Sequence, residues 1–187
     1  MNFEQYQKEQ CTIDMMKANL EGMKYLVFFL LIFALPYYFM HGLESTDFFP
    51  DRGVLFKGLF PFAMLLAGIV VHELVHGVFF AKYAKQGMRS VRFGIMWKYL
   101  APYAHCKEPL KIKHYTVALL APLVVTGLLP GIIGVAIGNM HLTGFGIVMS
   151  AAAVGDLMIY KLIRKENPED YVQDHPSEAG YYIYRKI

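Results

Sequence analysis

His72-Glu73-Leu74-Val75-His76 places two imidazoles four residues apart with a carboxylate between them. On a helix, residues i and i+4 share one face, one turn apart. Two imidazoles so placed can bind one zinc ion, and the intervening glutamate can reach a water molecule on it. Zinc activates such water for attack on a carbonyl near neutral pH. Glu73 would accept the proton and pass it to the leaving amine. The plainer alternative is a hydrogen-bonded His–Glu pair that joins two helices.

The pentad interrupts a segment, residues 58–81, that holds no other ionisable side chain. Residues 25–40 and 115–140 carry no charged side chain, and residues 142–160 carry only Asp156. A bilayer core needs about 20 apolar residues of helix. The pattern therefore predicts an all-α membrane protein of about four transmembrane helices, as a single integral membrane domain over residues 1–187. Hydrophobic residues make up 56% of the chain and charged residues 18%, and the mean hydropathy is +0.34. Those values speak against a disordered chain or an ordinary soluble enzyme. A formal charge of +3, with acids nearly matching bases, speaks against a nucleic-acid partner.

A catalytic zinc site usually takes three protein ligands and keeps a position for water. Asp156 is the expected third ligand. It lies about 20 Å down the fourth segment at 1.5 Å per residue, a depth like that of the pentad if both segments run the same way. Gly144, Gly146, Ser150, Ala151, Ala152, Ala153 and Gly155 make this segment small-sided, which permits close helix approach. His105, His114 and His175 are rival ligands outside the spans. An ion pair with a snorkelling Lys or Arg is the other reading of Asp156.

Of the 18 Lys and Arg residues, only Arg52 and Lys57 fall between the first two segments. With four spans, all the others share one side. The excess of positive charge puts both termini and the loop in the cytoplasm. The expected cytoplasmic parts are an N-terminal tail (1–23), a loop (82–114) and a C-terminal tail (161–187). No cleavable leader is expected, because the first 23 residues are polar. Met15, Met16, Leu20 and Met23 could form an interfacial helix face, or the tail could be solvated. Cys11 and Cys106 would both be free thiols on the reducing side. In the loop, Val91 to Trp97 and Ala101 to Cys106 read as a small β-hairpin turning at Lys98 to Leu100. Its edge is a candidate for pairing with an extended substrate segment. Asp174-His175-Pro176-Ser177 reads as a turn or a helix cap, without a chemical role.

The pentad on an apolar helix, followed about eighty residues later by an aspartate in another, resembles the site-2 protease class of intramembrane metalloproteases. The closer resemblance is to a family of short membrane zincin metallopeptidases. It rests on Val71 to Gly77, Leu120-Ala121-Pro122, Gly155-Asp156-Leu157 and Asp174 to Gly180. The resemblance implies zinc ligands at His72, His76 and Asp156 and a general base at Glu73. It also implies a site-2-protease-like core and a membrane protein or peptide as substrate. Ala152-Ala153-Val154-Gly155-Asp156-Leu157 lacks the Asn and Pro that precede the third ligand in the larger class. The activity implied is peptide hydrolysis in the membrane. The alternatives are a zinc-binding membrane protein without hydrolysis (a sensor, chaperone or pseudoprotease) and a small transporter.

Overall fold

A computed structural model describes residues 6–13, 15–45, 53–97, 101–176, 178 and 180–186. The hairpin turn at Lys98 to Leu100, the first-loop residues Asp47, Asp51 and Arg52, and Ser177 and Ala179 lie outside them. So do Glu4, Asp14 and the side chains of Met15, Met16 and Lys17.

The chain is mostly helical with small sheets. In order, the elements are β1 (Tyr6–Thr12), α1 (Met15–His41), α2 (Val54–Tyr83), a 3-10 turn (Gly87–Ser90), β2 (Val91–Met96), β3 (Ala101–Cys106) and β4 (Leu110–Lys111). Then come α3 (Ile112–Ile137), α4 (Met140–Ala152), α5 (Val154–Ile163), β5 (Tyr171–Asp174) and β6 (Gly180–Lys186). Three stretches, Leu20–His41, Val54–Tyr83 and Ile112–Ile137, are long and apolar enough to cross a membrane. The expected fourth segment is a bent pair, α4 and α5, which adds a crossing if the pair acts as one span. Asn139 starts it, since its Oδ1 accepts the Leu142 N–H at 2.8 Å as a helix cap. Ala153 interrupts it, with ψ of 13° at the end of α4.

By their internal contacts the residues divide into two compact units. The first contains Met1–Asn19, Glu73–Ala121 and Gly155–Ile187. Its antiparallel sheet has the order β1-β6-β5-β4. Tyr6 pairs with Lys186 and Thr12 with Gly180, so the two terminal segments lie side by side. The N-terminal tail therefore contains a strand ahead of α1, and the C-terminal tail contains β5 and β6. Val172, Ile183 and Tyr181 turn from this sheet into a core with Phe80, Tyr115, Leu119 and Ile163. The predicted hairpin is present as β2 and β3, running from Val91↔Cys106 to Met96↔Ala101.

The second unit contains Leu20–His72 and Pro122–Val154. It is held by side-chain contacts, such as the Tyr37 hydroxyl on the Gly138 carbonyl at 2.9 Å, and by backbone proximity. A methyl group on Gly146 would run into the backbone of Gly131, which brings α4 against α3. Gly144 faces open space, so only part of the small-residue pattern serves this contact. The outer faces of α1 and α2 stay apolar and exposed, as at Phe39, Leu55 and Phe62. Such surface suits lipid rather than water.

Cys11 and Cys106 are both free thiols. Cys106 is fully buried, and burial pushes its thiol up to about 12. At pH 8 that leaves about one part in ten thousand as thiolate. Iodoacetamide should therefore modify Cys11 in the native protein and spare Cys106, with both labelled after denaturation. Peptide mass spectrometry reads this directly, and equal native labelling would contradict the packing of the first unit.

Candidate metal centre

Helix α2 carries His72, Glu73 and His76 and runs unbroken through all three. Helical register alone puts a ring nitrogen of each histidine within 4.8 Å of the other. Both histidines are buried, and Glu73 is half-buried in the same turn. In the first unit, Asp156 stands in the opening turn of α5, where the helix dipole favours a carboxylate. Its Oδ1 lies 3.3 Å from His76 Nε2. His76 and Asp156 are thus brought together from positions eighty residues apart.

The other ring nitrogen of His76 is also occupied. Nδ1 lies 3.0 Å from the Ala118 carbonyl oxygen of α3. A carbonyl only accepts, so Nδ1 carries a hydrogen, and Nε2, which faces Asp156, is the nitrogen left for a metal. The His76 ring stacks on Phe80 at 5.8 Å between centroids, and Phe80 packs on Tyr115. In the second unit, His72 Nδ1 lies 3.4 Å from the Thr126 hydroxyl. Two imidazoles and a carboxylate form a donor set that fits zinc. Metal-binding histidines ordinarily anchor their second nitrogen in the way His76 does.

The rival ligands are engaged elsewhere. His114 stacks on Tyr83 at 4.5 Å. His175 Nδ1 accepts the Glu178 N–H at 2.9 Å, and its ring lies against Tyr182. His105 pairs with Arg92 in the hairpin ladder, and burial lowers its pKa. Among the described residues, none of these three joins a group able to hold an ion.

The hairpin is fastened close to the pentad. A methyl group at Gly77, one residue after His76, would meet the Phe93 ring of β2. Glu108 closes the turn between α2 and β2. It accepts from the Lys85 and Gln86 N–H groups at 2.9 and 3.3 Å and from the Ser90 hydroxyl at 2.5 Å. The Ser90 bond holds the Glu108 carboxyl below its usual range.

Asp174, which has no role legible in the sequence, is a staple. Its carboxylate accepts the Cys106 N–H at 2.7 Å and the Tyr115 hydroxyl at 2.5 Å. It thereby ties β5 to β3 and to the start of α3. Just after it, the His175 N–H donates to the Gly180 carbonyl at 2.9 Å, between β5 and β6. Only an acid at the end of a Tyr-Val-Gln-Asp strand hints at the staple in sequence, because both partners are remote.

Asp174→Ala should cost about 1–3 kcal/mol, since it leaves a buried N–H without its acceptor. Faster alkylation of Cys106 is the expected sign. Burial raises the Asp174 carboxyl above its ordinary value. The folded state then holds the proton more tightly than the unfolded one. This group's stability contribution is greatest at low pH and falls as pH rises through the raised value. Asp174→Asn should flatten that fall, read as the denaturant midpoint between pH 3.5 and 7 beside wild type (on the order of the ordinary carboxyl range upward).

A family model described as "putative zincin peptidase" matches residues 65–171, more than half of the chain. The match starts in α2 before the pentad, includes Asp156 and ends at the first residue of β5. Comparison with curated proteins gives no match. Comparison with solved structures gives none either.

Proposed function

The chain belongs to this zincin peptidase family, and on that premise we propose a membrane-embedded zinc metallopeptidase with His72, His76 and Asp156 as ligands and Glu73 as general base. The observation that carries the reading is the 3.3 Å approach of Asp156 Oδ1 to His76 Nε2. An aspartate at that place gives the two-histidine pentad the third donor that a hydrolytic zinc site needs. When bound, zinc supplies Lewis-acid activation of water and of the scissile carbonyl. The chain's own groups do the rest. His72 and His76 direct two nitrogens from one helix face. Asp156 supplies an anionic oxygen and offsets part of the positive charge. Glu73, beside His72, takes a proton from the attacking water and hands it to the departing amine.

The substrate we propose is a membrane-associated or transmembrane peptide segment. Three apolar helices, or four with the bent pair, support residence in the bilayer. Ionisable groups so placed in an apolar helix are functional candidates. The relation to the site-2 protease class is part of the same proposal and rests on the pentad and the distant aspartate. The proposed topology has both termini and the loop on the cytoplasmic side. It is supported by the sheet, because β1, β4, β5 and β6 pair as one surface and cannot be separated by a bilayer. A common side for the termini requires an even number of crossings, which favours counting α4 and α5 as one span.

Metal analysis of detergent-purified protein tests the centre. Near one zinc per chain is expected in wild type, with loss in His72→Ala and in Asp156→Ala. Retention by both variants would end this reading. Glu73→Gln should keep the metal and lower cleavage of a membrane peptide by at least about a hundredfold. Full activity in that variant would leave a zinc-binding protein whose glutamate is no base.

A further inference from the structure

Helix α3 is irregular where it meets the pentad. Pro122 lies inside it, and Leu123–Leu128 winds as a π-helix. Proline has no N–H, so residue 122 gives no helical hydrogen bond to the carbonyl four residues earlier. That carbonyl is Ala118, the acceptor for His76 Nδ1. One turn after the proline stands Thr126, whose hydroxyl donates to the Pro122 carbonyl at 2.8 Å. A hydroxyl has one hydrogen. With that hydrogen committed to Pro122, the oxygen presents only lone pairs to His72 Nδ1, 3.4 Å away. His72 Nδ1 must then donate, as His76 Nδ1 does, so that Nε2 of each is the nitrogen for a metal.

We infer that the break in α3 is a positioning device: Pro122 releases the Ala118 carbonyl, and Thr126 is oriented by the Pro122 carbonyl, so that both imidazoles are held as Nδ1–H tautomers with Nε2 available to a metal. The inference rests on the proposed zinc centre and adds Pro122 and Thr126 to it as positioning residues. The two anchors come from one helix, and the proline is what frees the first of them. Residue 122 of a regular helix would donate to Ala118. A valine at 126 would fill the same volume with no acceptor for His72. The π-helix has the same meaning, since such bulges occur mostly where function needs a helix to depart from its ladder.

The test is zinc affinity of the full chain in detergent, by competition with a chromophoric chelator, alongside thermal unfolding of the metal-free protein. Thr126→Val should weaken zinc binding about 10- to 100-fold, and Thr126→Ser should restore it to within about threefold, as for loss and return of a ligand's hydrogen-bond partner. Pro122→Ala should also weaken zinc, while raising the midpoint of the metal-free protein because a helical hydrogen bond is regained. Greater stability with poorer metal binding is a combination that a packing role would not produce. Protection of Cys106 from alkylation reports folding in every variant. Wild-type affinity in folded Thr126→Val and Pro122→Ala would overturn the inference, as would failure of Thr126→Ser to restore binding. His72→Ala separates this from the centre itself. If it loses zinc while Thr126→Val and Pro122→Ala do not, only the positioning role falls, and if it retains zinc, the centre falls with it.

Discussion

An imidazole and a carboxylate 3.3 Å apart, both largely withdrawn from water, constrain everything around them. Each polar atom they expose to the interior needs a partner, or the fold loses on the order of 1–3 kcal/mol per group. His76 answers with both nitrogens engaged, one toward Asp156 and one on a backbone carbonyl. That requirement reaches outward. The carbonyl is available because its helix carries a proline, and the carboxylate arrives at the start of a helix because the preceding one stops at Ala153. Two helix irregularities, each costly alone, become intelligible as conditions for the approach of Asp156 to His76.

The two compact units solve packing differently. In the first, a sheet presents Val172, Tyr181 and Ile183 to aromatic and aliphatic side chains, and a buried Asp174 fastens three elements through directed hydrogen bonds. This is the logic of a water-soluble core. The second adds backbone proximity at Gly131 and Gly146 to the packing of side chains such as Phe33 and Tyr37. Where both states of a helix surface face apolar surroundings, hydrophobic burial gives little, and close van der Waals contact must do more. The composition of each segment matches its task. Glycine clusters fall in α3 and α4, where the backbones approach most closely.

Much of the centre was legible because it is encoded locally or by exclusion. The pentad sets its own geometry through helix period, and Asp156 stood out as the sole ionisable residue in its segment. The β2–β3 hairpin was legible for the same reason, since alternation and a short turn lie within sixteen residues. The four-stranded sheet was not. Its strands are short and polar on one face, and pairing of Tyr6 with Lys186 leaves no trace in the neighbourhood of either. The Asp174 staple escaped for the same cause. Pro122 was visible, but its effect depends on which carbonyl it frees and on what approaches that carbonyl, which is tertiary information. The bend at Ala153 follows from no proline and no strong sequence break.

The pairing of β1 with β6 has a consequence for biosynthesis. β1 leaves the ribosome before α1, and its partner β6 is made only after α5. Through that interval β1 is an orphan strand with both edges open, the kind of segment that recruits neighbours into aggregates. Its sequence, Tyr-Gln-Lys-Glu-Gln-Cys-Thr, has adjacent opposite charges and three uncharged polar side chains, and no aliphatic residue. A strand written this way tolerates a long wait in water. It gains its order late, from the Arg185 guanidinium that bridges Glu9 and Glu166 and from the Lys8 ammonium over the Tyr182 ring. The sheet can therefore close only after the helices that carry His72, His76 and Asp156 have been synthesised.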